Sequence, residues 1–265
     1  MFSRKFVTMT RIGFAARGIM YLLIGFLALR MGRAEDGSGA LEYLDSEAGK
    51  VLLAIMAAGF FAYAVWRICE AYLDSENHGS DARGAAVRAG GVASGLIHGL
   101  LGFTAAKLAM GSSQGSGGGA ESGAATALSF PGGQTMLVVG AALLLLTGLY
   151  QLVKAARGSF LRHLDQEAAR QSWVKWAGSI GYVARGLVFI IMAGFLLKAG
   201  RDNSASQAGD MGEALGSLPP TLQTLAAAGL FLFGIFSLIE ARYRRINDPQ
   251  VLERLNAMAR NTIRT

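Results

Sequence analysis

Eight residues carry the chemical interest of this sequence: Arg17, Tyr21, Glu70, Ser94, His98, Lys154, Arg185 and Glu240. Each lies inside or at the end of an apolar run of membrane-spanning length, where a polar or ionisable side chain is costly and is by default a functional candidate. Arg17 lies six residues beyond Arg11, about 9 Å into its run, and a helical side chain leans towards its own N-terminus, so the guanidinium can snorkel back most of that depth. Glu70 ends the next run and leans the opposite way. The spacing predicts an Arg17–Glu70 clasp across one helical hairpin and an Arg185–Glu240 clasp across another, in preference to a substrate or ion site. Between them Ser94 stands for the Arg and Lys154 for the Glu, a joint loss consistent with pairing. His98 lies ten residues past Arg88, about 15 Å deep, as a neutral imidazole bonded to backbone or hydroxyl or, less simply, as a proton carrier. Tyr21, His98 and Phe189 each lie one turn beyond Arg17, Ser94 and Arg185, and the expectation is that they meet as a plug on a central axis.

Other chemistries are excluded by what is missing. Cys69 is the single cysteine, so there is no internal disulfide and no cysteine-based metal site. His78 and His163 fall in loops, leaving His98 without a second intramembrane histidine for haem or zinc. There is no phosphate loop, no H-E-x-x-H and no Ser-His-Asp set on one side. The expectation is a protein that is no enzyme and holds no metal or cofactor.

The elements that must position these residues follow from composition. Only 16% of the 265 residues are charged and 52% are apolar, where a soluble domain carries about a quarter charged. Six stretches have spanning length: Ile12 to Leu29, Val51 to Leu73, Ala85 to Met110, Thr135 to Val153, Trp176 to Leu197 and Leu218 to Ile239. They are apolar all round, which separates them from amphipathic soluble helices, and no alternating strands suggest a barrel. Asp74 to Asp81 reads as a loop and Gly111 to Gly123 as a Gly/Ser linker without structure of its own. Pro131, Pro219, Pro220 and Pro249 stand at helix starts, and none interrupts a span.

Charge sets orientation. Of the 25 Lys and Arg, only Arg30, Arg33, Lys50, Lys107, Lys198 and Arg201 fall on the side where odd-numbered spans end, and the rest fall on the other. By the positive-inside rule both termini are cytoplasmic, with Trp66, Trp173 and Trp176 near the inner boundary. The formal charge of +7 is interrupted by apolar spans, which argues against nucleic acid. Arg4 and Lys5 before an apolar run also fit a cleavable leader, but an internal repeat argues against it.

Arg11-Ile-Gly13-Phe-Ala-Ala16-Arg17-Gly18-Ile-Met-Tyr21 returns as Ser179-Ile-Gly181-Tyr-Val-Ala184-Arg185-Gly186-Leu-Val-Phe189, and more weakly from Arg88 through Gly90, Ala93, Ser94 and Gly95 to His98. Even spans end alike: Gly59, Trp66 and Glu70-Ala71 match Gly229, Phe236 and Glu240-Ala241, with Tyr150 and Lys154-Ala155 between. The predicted fold is all-α and polytopic, with six transmembrane helices as three parallel hairpin repeats in a pseudo-threefold arrangement. The units are 1–83, 84–170 and 171–245, followed by a tail over 246–265. Gly91, Gly95 and Gly99, with Gly18 and Gly25, Gly95 and Gly102, and Gly186 and Ala193 in register, predict close helix packing at about the repeat axis rather than a glycine-lined conduit. The repeated Arg-Gly opening before paired spans resembles the bacterial family catalogued as domain of unknown function 1206, over about residues 8 to 245. The resemblance implies a fold and a membrane location but no activity, and the middle unit departs from it at Ser94 and His98.

In the tail, Asp248-Pro249 reads as a helix start, and Val251, Leu255, Met258 and Thr262 share a face opposed by Arg254, Arg260 and Arg264. That pattern fits a helix lying on anionic inner-leaflet lipids, or one docking on a protein partner. The reading is a non-enzymatic structural or partner-binding protein of a bacterial cytoplasmic membrane. The alternative is a transporter or channel with Arg17, Arg185 and His98 lining a cavity near the repeat axis.

Overall fold

The computed structural model describes residues 2–32, 34–35, 37–44, 47–73, 81–112 and 119–245. The tail helix expected beyond Asp248 lies outside the described residues. Six long helices dominate: α1 (Phe2–Met31), α2 (Glu47–Leu73), α3 (Ala82–Ala109), α4 (Gly133–Arg157), α5 (Ser172–Arg201) and α6 (Pro220–Tyr243). Each contains a stretch long and apolar enough to cross a bilayer, and the protein is an integral, multi-pass membrane protein. Their ends follow local chemistry. Asp81 caps α3 by accepting from the Gly84 N–H at 2.8 Å, Pro220 opens α6, and Gly158 closes α4 at φ +60°, a conformation that favours glycine.

Odd helices begin, and even helices finish, at the end of the bundle rich in Arg and Lys, called here the basic end. There the 159–170 connector is tied to the end of α6: the Asp165 N–H donates to the Tyr243 carbonyl and the Arg245 N–H to that of His163. Phe160 from this connector is fully buried against Tyr182 and Phe236. At the opposite end the structure corrects the sequence reading. Gly119–Leu128, partly within the stretch expected to be structureless, is a helix whose Ala124 packs with Leu137, Ala199 and Ala208. Gly37–Glu42 and Met211–Gly216 are further short helices, the latter started by an Asp210–Glu213 capping box.

The packing order is α3-α2-α1-α6-α5-α4, with the hairpins meeting through α2 against α3, α4 against α5 and α6 against α1. These three junctions share one register. A methyl group on Gly18 would come within 3.0 Å of the Gly234 carbonyl oxygen, one on Gly95 within 3.1 Å of that of Ala64, and one on Gly186 within 2.9 Å of that of Gly148. The recurrent glycines therefore fit one hairpin to the next and do not line a central axis. Hairpins α1–α2 and α5–α6 are also closed internally. A methyl on Gly13 would meet Tyr63 Cβ at 2.7 Å, and one on Gly181 would meet Phe233 Cα at 2.7 Å.

The middle hairpin is different: α3 and α4 barely touch. At Gly90, the counterpart of Gly13 and Gly181, a methyl would meet only Thr147 Oγ1, 3.9 Å away. Register explains the separation. Tyr63 and Phe233 become Thr147, Phe14 and Tyr182 become Gly91, and Gly59 and Gly229 become Leu143. A methyl on Gly59 would sit 2.6 Å from Ala16 Cβ, so the isobutyl group of Leu143 cannot occupy that place in a closed hairpin.

Candidate functional site

The densest polar arrangement forms where α1, α2 and α6 meet near the basic end. Gly13 and Ala16 turn one face of α1 to α2, Gly18 and Gly25 turn another to α6, and Arg17 points between them. Its guanidinium uses three nitrogens. Nε donates to Ser237 Oγ (3.2 Å), Nη1 to Tyr63 Oη (2.7 Å) and Nη2 to Glu240 Oε2 (2.5 Å). Arg244 Nη1 donates to the other Glu240 oxygen at 2.8 Å. Rings close around the charges: Phe14, Tyr63 and Phe233 lie 4.6 to 5.2 Å from the Arg17 guanidinium carbon, and Phe14 and Trp66 flank Arg244. Arg17 is 4% and Glu240 1% exposed, so the pair is shielded from water and lipid alike.

This arrangement corrects the expected clasps. Arg17 pairs with Glu240 of the third hairpin rather than with Glu70 of its own, because it points into the wedge between α2 and α6, where α2 offers Tyr63 and α6 offers Ser237 and Glu240. Glu70 is buried and bonded by Arg67, one turn earlier on α2. At the junctions the corresponding residues are therefore Arg17 with Glu240, Ser94 with Glu70, and Arg185 with Lys154. Only the first is a complementary pair. Where Arg185 and Lys154 would repel, both turn to aromatic groups. Arg185 Nε donates to Tyr21 Oη at 2.8 Å, its guanidinium carbon lies 4.7 Å from the centre of the Phe189 ring and 4.9 Å from that of Phe233, and Lys154 Nζ lies 4.9 Å from that of Tyr182.

His98 donates from Nδ1 to the Ser94 carbonyl at 2.7 Å and packs on Tyr63, with ring centroids 4.4 Å apart. Its Nε2 is buried without a partner among the described residues. The plug of Tyr21, His98 and Phe189 is not formed: Tyr21 packs on Phe233, and His98 on Tyr63 and Phe60. Rings from even helices intervene, since the junctions bring even helices against odd ones. Trp66 is likewise enclosed with Phe14 and Tyr63 and does not stand at a lipid interface, whereas Trp173 and Trp176 are exposed.

Sequence reasoning missed Tyr63, Ser237, Arg244 and Gln151. Tyr63 could have been found as the residue seven before Glu70, the position where Phe233 precedes Glu240. Ser237 and Gln151 hold equivalent positions on α6 and α4, each directly after the aromatic residue of its repeat, and both are buried; the side-chain amide of Gln151 has no partner among the described residues. No group of His, Cys, Asp and Glu suited to a metal ion exists among the described residues.

Comparisons with known proteins agree with the repeats. The chain is 28% identical over 250 residues to the uncharacterized protein YxxB of Bacillus subtilis (strain 168), covering 89% of this chain and 90% of that one. None of the solved structures matches it. The model of the Domain of Unknown Function (DUF1206) family matches three times, over 12–74, 89–158 and 180–244, once for each hairpin. Three tandem matches that cover most of the sequence, each taking in one pair of spans, make the chain a member of the DUF1206 family.

Proposed function

We propose that this protein is a non-enzymatic, structural or partner-binding element of a bacterial cytoplasmic membrane, with its basic end and both termini in the cytoplasm. The observation that carries the reading is the enclosure of its buried charges. Arg17 and Glu240 spend their hydrogen bonds on each other and on Tyr63, Ser237 and Arg244, and aromatic rings surround them. A translocation site needs charged groups that can exchange protein partners for a passing solute, and here that would require breaking an enclosed ion pair. The uneven distribution of Lys and Arg supports the orientation.

The test uses purified protein in liposomes loaded with a pH-sensitive dye, with a potassium gradient and valinomycin imposing a potential. Proton leak should equal that of protein-free liposomes, with or without added small carboxylates. A leak above that baseline that Arg17→Gln or His98→Phe abolishes would overturn the reading in favour of a transporter.

A further inference from the structure

The junction between α4 and α5 copies the one between α6 and α1 in its backbone but not in its charges. A methyl group on Gly186 would meet Leu152 Cδ2 and the Gly148 carbonyl oxygen, each at 2.9 Å. One on Gly18 would meet Leu238 Cδ2 at 2.8 Å and the Gly234 carbonyl oxygen at 3.0 Å. The preceding residues are matched in the same way, so Gln151 stands beside Arg185 as Ser237 stands beside Arg17. At the first junction the Glu240 carboxylate joins two cations, Arg17 and Arg244. At the second, Lys154 holds the place of Glu240 and Gly158 that of Arg244. Lys154 Nζ lies 4.9 Å from the centre of the Tyr182 ring, as the Arg244 guanidinium carbon lies 4.9 Å from that of the equivalent ring, Phe14. Two cations therefore recur, Arg185 and Lys154, without the carboxylate that joins their counterparts.

The chain has no acid to supply it. Glu47, Glu70 and Glu240 are the acids of the six long helices. Glu47 starts α2 at the opposite end of the bundle, Glu70 is bonded by Arg67, and both oxygens of Glu240 are taken. Arg185 donates from Nε to Tyr21 and makes no other hydrogen bond or ion pair among the described residues, so the N–H groups of Nη1 and Nη2 are unspent. Gln151 is 3% exposed, and neither its amide nitrogen nor its amide oxygen has a partner among the described residues. Ser237, in the same place, spends its hydroxyl on Arg17. Neighbouring unspent donors in an apolar setting, one of them a cation, are matched to an anion.

We propose that the α4–α5 junction binds a carboxylate from outside the chain, held by Nη1 and Nη2 of Arg185 and the amide nitrogen of Gln151, with the Lys154 ammonium as second cation. Two parallel N–H groups of one guanidinium fit the two oxygens of a carboxylate, and the remaining Nη hydrogens can satisfy the Gln151 carbonyl. The choice of carboxylate over other anions follows from Glu240, which the sister junction offers to the same guanidinium. Its source is a small water-soluble anion or the head of an acyl chain dissolved in the bilayer. The site depends neither on the proposed orientation nor on the non-enzymatic reading, and binding there needs no passage across the membrane.

Thermal unfolding of the full chain, purified in mild detergent without carboxylate buffers and followed by tryptophan fluorescence, tests this. Sodium acetate and sodium dodecanoate are titrated against sodium chloride and dodecanol at constant ionic strength and pH. Carboxylate should raise Tm saturably where chloride and dodecanol do not. Gln151→Leu, which removes an unpaired buried amide, should fold at least as stably as the parent yet need about tenfold more carboxylate for the same rise. Arg185→Gln should lose the response. Lys154→Glu, which gives this junction the acid of its sister, should raise Tm without added carboxylate and make Tm independent of it. Arg242→Gln, exposed near the end of α6, should respond as the parent does. Comparable responses to acetate and dodecanoate identify a water-soluble anion, and a response to dodecanoate alone identifies an acyl chain. The proposal falls if neither carboxylate raises Tm, if chloride raises it as much, if Gln151→Leu or Arg185→Gln responds as the parent does, or if Lys154→Glu keeps the full response.

Discussion

Glu240 is the residue whose loss should be felt most. Its carboxylate is 1% exposed and accepts from Arg17 at 2.5 Å and Arg244 at 2.8 Å. Glu240→Gln keeps the shape but removes the negative charge that both guanidinium groups bind. Stripping one partner from a buried ion pair costs about 3–5 kcal/mol, and Arg17 retains Tyr63 and Ser237, so a loss of about 3 kcal/mol is expected. Arg17→Gln in addition should recover part of it, giving a coupling of about 1–3 kcal/mol. The companion cycle of Arg17→Gln with Glu70→Gln should be additive within about 0.5 kcal/mol, because Glu70 is bonded by Arg67. Equilibrium unfolding in mixed micelles of mild detergent and dodecyl sulfate reads both cycles. A larger coupling to Glu70 than to Glu240 would refute the assignment of the ion pair to the junction between hairpins.

Gly13→Ala, which drives a methyl into the backbone of Tyr63, should destabilise by about 1–3 kcal/mol, whereas Gly90→Ala should be neutral or stabilise by up to about 1 kcal/mol in the same assay. Tyr21→Phe should cost about 1–3 kcal/mol by removing the hydroxyl that accepts from Arg185. His98→Phe, copying Phe189, should stay within about 1.5 kcal/mol of the parent and leave growth unchanged. Alkaline phosphatase fused near Asn203 should be active and near Asp165 inactive, and the reverse would invert the topology.

How far the sequence can be read depends on which forces act within one helix and which act between helices. Span number and repeat register are local, because bilayer thickness sets a run length and repetition copies residues at constant spacing, and the structure contains both, whereas the pairing of helices within a hairpin holds in the first and third units and not in the middle one. The segment 119–128 is not legible in that way. Its small residues resemble a linker until Ala124 finds Leu137 and Ala199 to cover it. Short apolar contacts of this kind are set by what lies opposite, and no window of sequence contains both sides.

The middle hairpin shows the limit from the other direction. Leu143 for glycine, Thr147 for an aromatic residue and Gly91 for another are all visible once the repeats are aligned, yet their consequence, an open slot, appears only when the closed hairpins show how near Gly59 comes to Ala16. The ion pairs follow the same logic. The sequence determined that Arg17 and Glu240 each need a partner in an apolar setting, since an isolated charge there is too costly to leave. Which partner was decided by helix packing: Gly13 and Gly18 lie about 140° apart around α1, one turned to α2 and the other to α6, and Arg17 points between them, where the carboxylate within reach belongs to α6. A linear pattern specifies the faces of a helix, and only the tertiary structure specifies what each face meets.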